Sequence, residues 1–215
     1  MVTSESNGLF PMNSIAGFIL VGGASSRMGT DKAALLLEGR TFVERIADAM
    51  SAVTNSITLI GKDSEQLQLD LPWASDVYEG WGALGGVHAA LSRATKPWSL
   101  VVACDLPFVT AGLFAHLADL RGGFEAVAAV QKDGRPQPLA ALYRGNPCLA
   151  RADELVKSSE RRPVALLQSV RTRWVPFSDL QGLPGAEHFF DNINTPQDYK
   201  KAGGKEDTTQ AAGMT

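Results

Sequence analysis

The sequence predicts an α/β protein built on a doubly wound, mostly parallel sheet, with helices on both faces and a small appended C-terminal lobe. Three observations predict it. Short runs rich in apolar and β-branched residues at 15–21, 56–60 and 98–104 alternate with longer segments of helical period, the pattern of parallel strands buried on both faces. Residues that carry chemistry gather where these strands end, at Gly22, Asp76 and Asp105, and open α/β sheets bind ligands beyond the carboxyl ends of their strands. From Asp133 onward the alternation loosens, which suits a lobe appended to the same sheet.

The elements follow in order. Residues 15–21 form the first strand. Thr41 and Glu44 make a capping box for a helix whose Phe42, Val43, Ile46, Met50 and Val53 recur at helical spacing. Residues 56–60 are short and β-branched, closed by Gly61, and Pro72 leaves a short strand over 73–77. Residues 80–86 read as a second glycine-rich loop that leads into a helix over 87–93. The strand over 98–104 is halted by Asp105-Leu106-Pro107, and the helix over 112–120 ends at Gly122-Gly123. Strands over 124–130 and 139–143 flank a polar turn at Lys132-Asp133-Gly134-Arg135. Asn146 as N-cap and Pro147 at the first helical position open a helix toward Lys157. Pro163 opens another, residues 171–177 return as a strand, and Thr195, Pro196 and Asp198 cap a last short helix. The succession is Rossmann-like.

Composition narrows the function classes. With 215 residues, 45% hydrophobic and 20% charged, the chain has the makings of one soluble domain with an ample core. A net charge of −3 and a pI of 5.6 argue against a general binder of nucleic acid or membrane surfaces. Cys104 and Cys148 are too few for a disulfide framework and lack metal-ligand spacing. Cys104, ending a strand, reads as an inert buried thiol. No run approaches a membrane span, and residues 1–14 lack the features of a secretory signal, so the cytoplasm is the expected compartment. Residues 1–14 and 203–215 read as disordered tails around a domain over 15–202.

The segment from Leu20 to Lys32 combines glycines, hydroxyls, an arginine and a lysine. Unhindered backbone N–H groups and fixed cations are what a polyphosphate needs. Its spacing matches neither Gly-x4-Gly-Lys-[Ser/Thr] nor Gly-x-Gly-x-x-Gly. Asp105, at the end of an apolar strand, offers one hard oxygen, and Mg²⁺ is commonly held by one or two carboxylates plus substrate phosphates. Gly82-Ala83-Leu84-Gly85-Gly86 permits a ligand to approach the main chain closely. Asn192 and Asn194 share one side of an extended segment, so they either meet phosphate or metal, or act as turn residues for the Thr195 cap. Trp81 and Trp174 can stack on a ring system or simply pack. Arg161-Arg162 is a solvated helix-flanking pair or a basic rim for an anion. His88, His116 and His188 show no metal-ligand spacing and no partnered nucleophile, and no catalytic role is assigned to them.

Leu20-Val21-Gly22-Gly23-Ala24-Ser25-Ser26-Arg27-Met28-Gly29-Thr30-Asp31-Lys32 resembles the signature of the molybdenum cofactor guanylyltransferases, within the nucleotidyltransferases that activate phosphorylated small molecules. That pattern is Leu-Ala-Gly-Gly-x-Ser-x-Arg-Met-Gly-x-Asp-Lys, with Val21 standing here where alanine is usual. Residues 82–86 resemble the family's Gly-Pro-Leu-Ala-Gly, with Ala83 for proline and Gly85 for alanine. Ala103-Cys104-Asp105-Leu106-Pro107 resembles Pro-Cys-Asp-x-Pro, and segments around Arg135-Pro136-Gln137 and Asn192-Ile193-Asn194 also resemble family segments.

The resemblance implies transfer of GMP from GTP to the phosphate of molybdenum-loaded molybdopterin, forming the guanine dinucleotide cofactor and releasing pyrophosphate. It implies that Leu20, Val21, Gly22 and Gly23, with Ser25 and Gly29 in the same loop, contact the purine and phosphates. Arg27 and Lys32 would neutralise the triphosphate, and Asp76 would contact the nucleotide. Gly82, Leu84, Gly85 and Gly86 would read the base, while Asp105 would hold Mg²⁺, or Mn²⁺ in its place. Arg135 and Gln137 are candidates for the pterin substrate, and Asn192 and Asn194 for phosphate or metal. Arg27, Lys32 and Asp105 form the implied catalytic set. Residues 15–122 become a GTP and metal half, and 123–202 a pterin-substrate half. The partners implied are GTP, molybdenum-molybdopterin, molybdopterin-loading proteins and molybdoenzyme maturation factors, with neither nucleic acid nor membrane. A molybdopterin cytidylyltransferase, a sugar-1-phosphate or other small-molecule-phosphate nucleotidyltransferase, and a non-enzymatic nucleotide-binding adaptor stay open as rivals. Gly22-Gly23 favours guanine.

Overall fold

A computed structural model describes residues 14–22, 32–61, 67, 69–75, 78 and 80–204. Of the expected tails at 1–14 and 203–215, all but residues 14, 203 and 204 lie outside the described residues, as do the candidate residues Gly23, Ser25, Arg27, Gly29 and Asp76.

The chain begins with β1 (Ile15–Val21), apolar and buried throughout. A short 3-10 turn at Lys32–Ala34 precedes a small hairpin of β2 (Leu36–Leu37) and β3 (Arg40–Thr41). Periodicity does not reveal the hairpin, because its strands are two residues long. Its turn residues, Glu38 and Gly39, both have positive φ (53° and 80°), the requirement of a tight type I′ turn. Then follow α1 (Phe42–Met50), β4 (Ile57–Gly61), β5 (Trp73–Ala74), α2 (Gly82–Arg93), β6 (Trp98–Ala103) and α3 (Ala111–Asp119). The second half holds β7 (Ala126–Val130), β8 (Pro136–Arg144), α4 (Gly145–Lys157), α5 (Pro163–Ser169), β9 (Thr172–Val175), α6 (Phe177–Leu180) and α7 (Pro196–Lys201). The predicted capping box of α1 is present: the Thr41 hydroxyl accepts from the Glu44 N–H, and the Glu44 carboxylate accepts from the Thr41 N–H.

The main sheet has the order β5-β4-β1-β6-β8-β7-β9. All neighbours are parallel except β8, which runs antiparallel to both β6 and β7. The expected α/β class with a mostly parallel sheet therefore holds. Alternate residues of β1 serve opposite faces. Ile15, Ile19 and Val21 pack with α1 and α3, whereas Ala16, Phe18 and Leu20 pack with α2, α4 and α5. A third, small cluster of Leu37, Phe42, Ile193 and Tyr199 joins the hairpin to α7. Among the described residues, no helix is long and apolar enough to cross a membrane.

Three local expectations are corrected. Residues 82–86 are not a loop: α2 starts at Gly82. Gly85 and Gly86 are there for close approach, and Gly82 for its positive φ of 64°. A Cβ on Gly86 would sit 3.1 Å from Leu20 Cδ1, and one on Gly85 would sit 2.8 Å from Trp81 Cβ. The N-cap of α4 is Arg144 rather than Asn146. There β8 runs directly into the helix, and the Gly145 N–H donates to the Pro97 carbonyl at 2.9 Å. Asn146 and Pro147 occupy the first turn, where a missing N–H leaves no intrahelical bond unmade. Finally β9 ends at Val175, because Pro176 caps α6 and Phe177 begins it.

Candidate active site

After β1 the chain crosses through α1 to β4 on one side, and after β5 it returns through α2 to β6 on the other. This reversal makes a crevice at the carboxyl ends of β1 and β6, the usual ligand position in such sheets. The two ends are tied together by the Cys104 N–H, which donates to the Leu20 carbonyl at 3.0 Å. Leu20 and Val21 are buried strand residues, so only their main chain is available to a ligand. Gly22 emerges exposed with φ of 105°, a conformation that favours glycine.

Asp105 follows the last residues of β6 and is half-buried. Burial raises its carboxyl above the ordinary aspartate range, and the nearby Lys32 charge pulls it part of the way back. The Asp105 carbonyl accepts from the Ile193 N–H at 3.1 Å, which brings the segment before α7 to the crevice. Lys32 Nζ then donates to Asn194 Oδ1 at 2.7 Å. Lys32, Asp105 and Asn194 are thus brought together from three distant parts of the sequence.

The side chain of Asn194 takes no part in the Thr195 cap. The Thr195 cap is made with Asp198 alone: the Thr195 hydroxyl accepts from the Asp198 N–H at 3.1 Å, and the Asp198 carboxylate accepts from the N–H groups of Thr195 and Asn194 at 2.9 and 3.2 Å. The side chain of Asn194 is left for Lys32. Asn192 is exposed and lines a cleft of about 840 Å³ between the β7–β8 turn, α6 and the segment that leads to α7.

Phe108, three residues beyond Asp105, forms part of the cleft wall with Lys132, Arg135, His188 and Phe190. The Arg135 guanidinium is exposed and pairs with Asp133 at 2.6 Å. Gln137 does not join it. That side chain is buried in β8, where its Oε1 accepts from the Leu139 N–H at 3.1 Å. Sequence reasoning gives no role to His188, which contributes to the cleft, lies 6.1 Å from the Phe108 ring and bonds Asp191 through Nδ1 at 2.8 Å. The one signal in the sequence is its spacing of three residues from Asp191.

The base-reading candidates divide by exposure. Gly82 is exposed at the start of α2, whereas Leu84, Gly85 and Gly86 are buried in it. Trp81 caps this helix without a side-chain hydrogen bond. Both cysteines are buried, and burial pushes the Cys148 thiol up to about 12. An unreactive thiol is therefore expected at Cys148.

Comparison with known proteins decides what kind of crevice this is. Residues 17–173 match the MobA-like NTP transferase domain. The chain belongs to the MobA-like NTP transferase family. A relative in Pelotomaculum thermopropionicum named "Probable molybdenum cofactor guanylyltransferase" is 34% identical over 188 residues, covering 86% of this chain and 90% of the relative. A crystal structure of "Molybdopterin-guanine dinucleotide biosynthesis protein A" from Archaeoglobus fulgidus superposes with a TM-score of 0.73 at 25% identity, covering 87% of this chain and 96% of that one. The 2-C-methyl-D-erythritol 4-phosphate cytidylyltransferase of Thermus thermophilus, at 18% identity and a TM-score of 0.64, shares the fold over 88% of this chain and 96% of its own. In this MobA-like transferase Lys32 is bonded to Asn194 and bears on the Asp105 carboxyl.

Proposed function

We propose that the chain transfers GMP from GTP to the terminal phosphate of molybdenum-loaded molybdopterin, forming the guanine dinucleotide cofactor and releasing pyrophosphate. The observation that carries this reading is the meeting of Lys32, Asp105 and Asn194 at the ends of β1 and β6, in a chain whose relatives bear the guanylyltransferase name over most of their length.

An ionised oxygen of the pterin's phosphate attacks the α-phosphorus of GTP. The bond from that phosphorus to the bridging oxygen of the β-phosphate breaks, and pyrophosphate leaves with the electron pair. The attacking oxygen is already ionised at neutral pH, so no side-chain base is needed. What the protein supplies is in-line positioning of two polyanions and stabilisation of charge as it shifts toward the leaving group. Lys32 is the described cation in that role, with Arg27 its partner by family resemblance. The main chain at Gly22 would seat the phosphates, and the start of α2 would contact the base.

The residues fit a resident Mg²⁺ or Mn²⁺. Among the described residues no group of three His, Cys, Asp or Glu side chains is gathered to hold an ion unaided. Asp105 presents a single desolvated carboxylate, which suits an ion that completes its shell with substrate phosphates and water. When bound, such an ion neutralises phosphate oxygens as a Lewis acid. Residues 15–122 would then form the GTP and metal half and 123–202 the pterin half, whose cleft carries Arg135 and Asn192. Molybdopterin-loading and molybdoenzyme maturation proteins would meet the enzyme on either side of this reaction.

Purified protein with Mg²⁺ and molybdenum-molybdopterin should release pyrophosphate from GTP and not from CTP, ATP or UTP. Only GTP should raise the melting temperature in titrations of the four nucleotides. Asp105→Ala should abolish turnover. Preference for CTP, or near-normal product from Asp105→Ala, would overturn the reading.

A further inference from the structure

His88 is a buried imidazole that the reaction does not use. It lies in α2, a turn and a half beyond Gly82, and is 4% exposed. Its Nε2–H donates to Asp153 Oδ1 of α4 at 2.7 Å. An ionised carboxylate only accepts, so Nε2 carries the hydrogen. Nδ1 is buried without a hydrogen-bond partner among the described residues. Burying a polar atom unpaired is costly, and an aliphatic side chain would fill this place between α2 and α4 without that cost.

What the ring holds explains its presence. Tyr78 meets it edge-on, with centroids 4.9 Å apart and planes at 70°. Tyr78 in turn lies 6.0 Å from the ring of Trp81, the residue that begins α2. The Arg161 guanidinium, from the turn between α4 and α5, covers Trp81 at 5.1 Å and donates to the Gly80 carbonyl at 3.4 Å. Gly85 closes the set: a Cβ there would lie 2.8 Å from Trp81 Cβ and 3.2 Å from the Tyr78 carbonyl oxygen. The described residues just before α2 are therefore wedged between their own helix and the pterin half.

We propose that His88, bonded to Asp153 and set edge-on against Tyr78, is a positioning residue that fixes the start of α2 as the seat of the nucleobase. This rests on the proposal above that the α2 start contacts the base. The pair acts through the Tyr78 and Trp81 rings, and it makes nucleotide affinity depend on a carboxylate in the second half of the chain. Arg161, read from sequence as a helix-flanking charge or part of a basic rim, belongs to the same device.

The test compares wild type with His88→Phe, His88→Gln and Asp153→Ala, measuring calorimetric Kd values for GTP and CTP together with kcat and both KM values. His88→Phe keeps a ring but no donor. His88→Gln keeps a side-chain N–H directed at Asp153. Asp153→Ala cuts the bond at a side chain that is 42% exposed, so it reports even where a His88 variant fails to fold. His88→Phe and Asp153→Ala should weaken GTP binding about five-fold, or about 1 kcal/mol. The loss should fall on the KM for GTP rather than on kcat or the KM for the pterin substrate. His88→Gln should recover most of it. A folded Asp153→Ala with wild-type GTP affinity would overturn the proposal, as would an equal loss for both substrates, the mark of a merely structural bond. If wild type prefers GTP and the variants bind GTP as wild type does, the positioning role alone fails. If wild type shows no base preference, the seat of the base is misassigned and the positioning role falls with it.

Discussion

The ammonium of Lys32 is held at 2.7 Å by the side-chain carbonyl of Asn194, 162 residues further along the chain. A lysine on its four-carbon stem is otherwise a wandering charge. Here it is fixed beside Asp105 by a residue whose own backbone is clamped, since the Asn194 N–H donates to the Asp198 carboxylate. A neutral acceptor suits this position, because it holds the ammonium without cancelling the charge that a triphosphate must meet.

Asn194→Ala should lower kcat/KM for GTP about ten-fold, the effect of losing a charge-assisted hydrogen bond of roughly 1.5 kcal/mol. Because the pair is exposed, stability should hardly change. Asn194→Asp should be worse than alanine. A carboxylate would bind Lys32 as an ion pair and repel the triphosphate. Steady-state kinetics with GTP as the varied substrate decide the order, and an aspartate variant as active as wild type would refute the arrangement.

Asp105 gives a pH prediction with a definite sign. Burial raises its carboxyl and Lys32 opposes the rise. Between the ordinary aspartate range and this raised value, the folded chain binds more protons than the unfolded one. Stability from this group therefore falls as pH rises through that window, and at neutral pH the ionised carboxylate is a standing cost. Asp105→Asn should accordingly raise the melting temperature at pH 7 while abolishing turnover. In a ¹³C titration of the metal-free protein, Lys32→Gln should move the Asp105 carboxyl further upward, because it removes the charge that held it down. A downward move would show that Lys32 does not act on Asp105.

The legible parts of this protein are those written in contiguous residues. The apolar runs of β1 and β6 announce buried parallel strands, and Asp105 is conspicuous because it ends one of them. The hairpin of β2 and β3 is too short for a period, and only the Glu38-Gly39 turn marks it. The start of α2 misleads because Gly82, Gly85 and Gly86 look like helix breakers in sequence. The need for Gly85 and Gly86 is tertiary, imposed by Trp81 and Leu20, and that for Gly82 is its positive φ of 64°. The same limit governs the site. Nothing local announces that Asn194 meets Lys32, that Gln137 turns into β8, or that His188 faces a cleft.

The cap of α7 is tied to the chemistry beside it, because Asp198 bonds both Thr195 and Asn194. The Thr195 hydroxyl accepts from the Asp198 N–H at 3.1 Å, and deleting an N-cap hydroxyl costs about 1 kcal/mol. Thr195→Ala should lower the unfolding free energy by that amount, read as a fall in the urea midpoint at unchanged m. It should also weaken GTP use, because Asn194 loses a fixed backbone neighbour. Thr195→Ser, which keeps the acceptor, should restore both. If alanine costs stability but leaves kcat/KM for GTP intact, Asn194 is held by Asp198 without help from the cap.

Gly85 is where the chain departs from the alanine of the pattern it resembles, and the structure gives the departure a cause. In a helix interior Gly→Ala ordinarily gains about 1 kcal/mol. At Gly85 the added Cβ would lie 2.8 Å from Trp81 Cβ and 3.2 Å from the Tyr78 carbonyl oxygen. Neither is the far end of a flexible side chain, so the backbone before α2 must move, and overpacking of this kind costs about 1–3 kcal/mol. The clash should win, and Gly85→Ala should lower the urea midpoint. Gly112 in α3 is the control, since its added Cβ would meet nothing closer than Thr110 Oγ1 at 3.8 Å. Gly112→Ala should therefore stabilise the protein. The same sign for both substitutions would show that propensity, not the Trp81 contact, governs the start of α2.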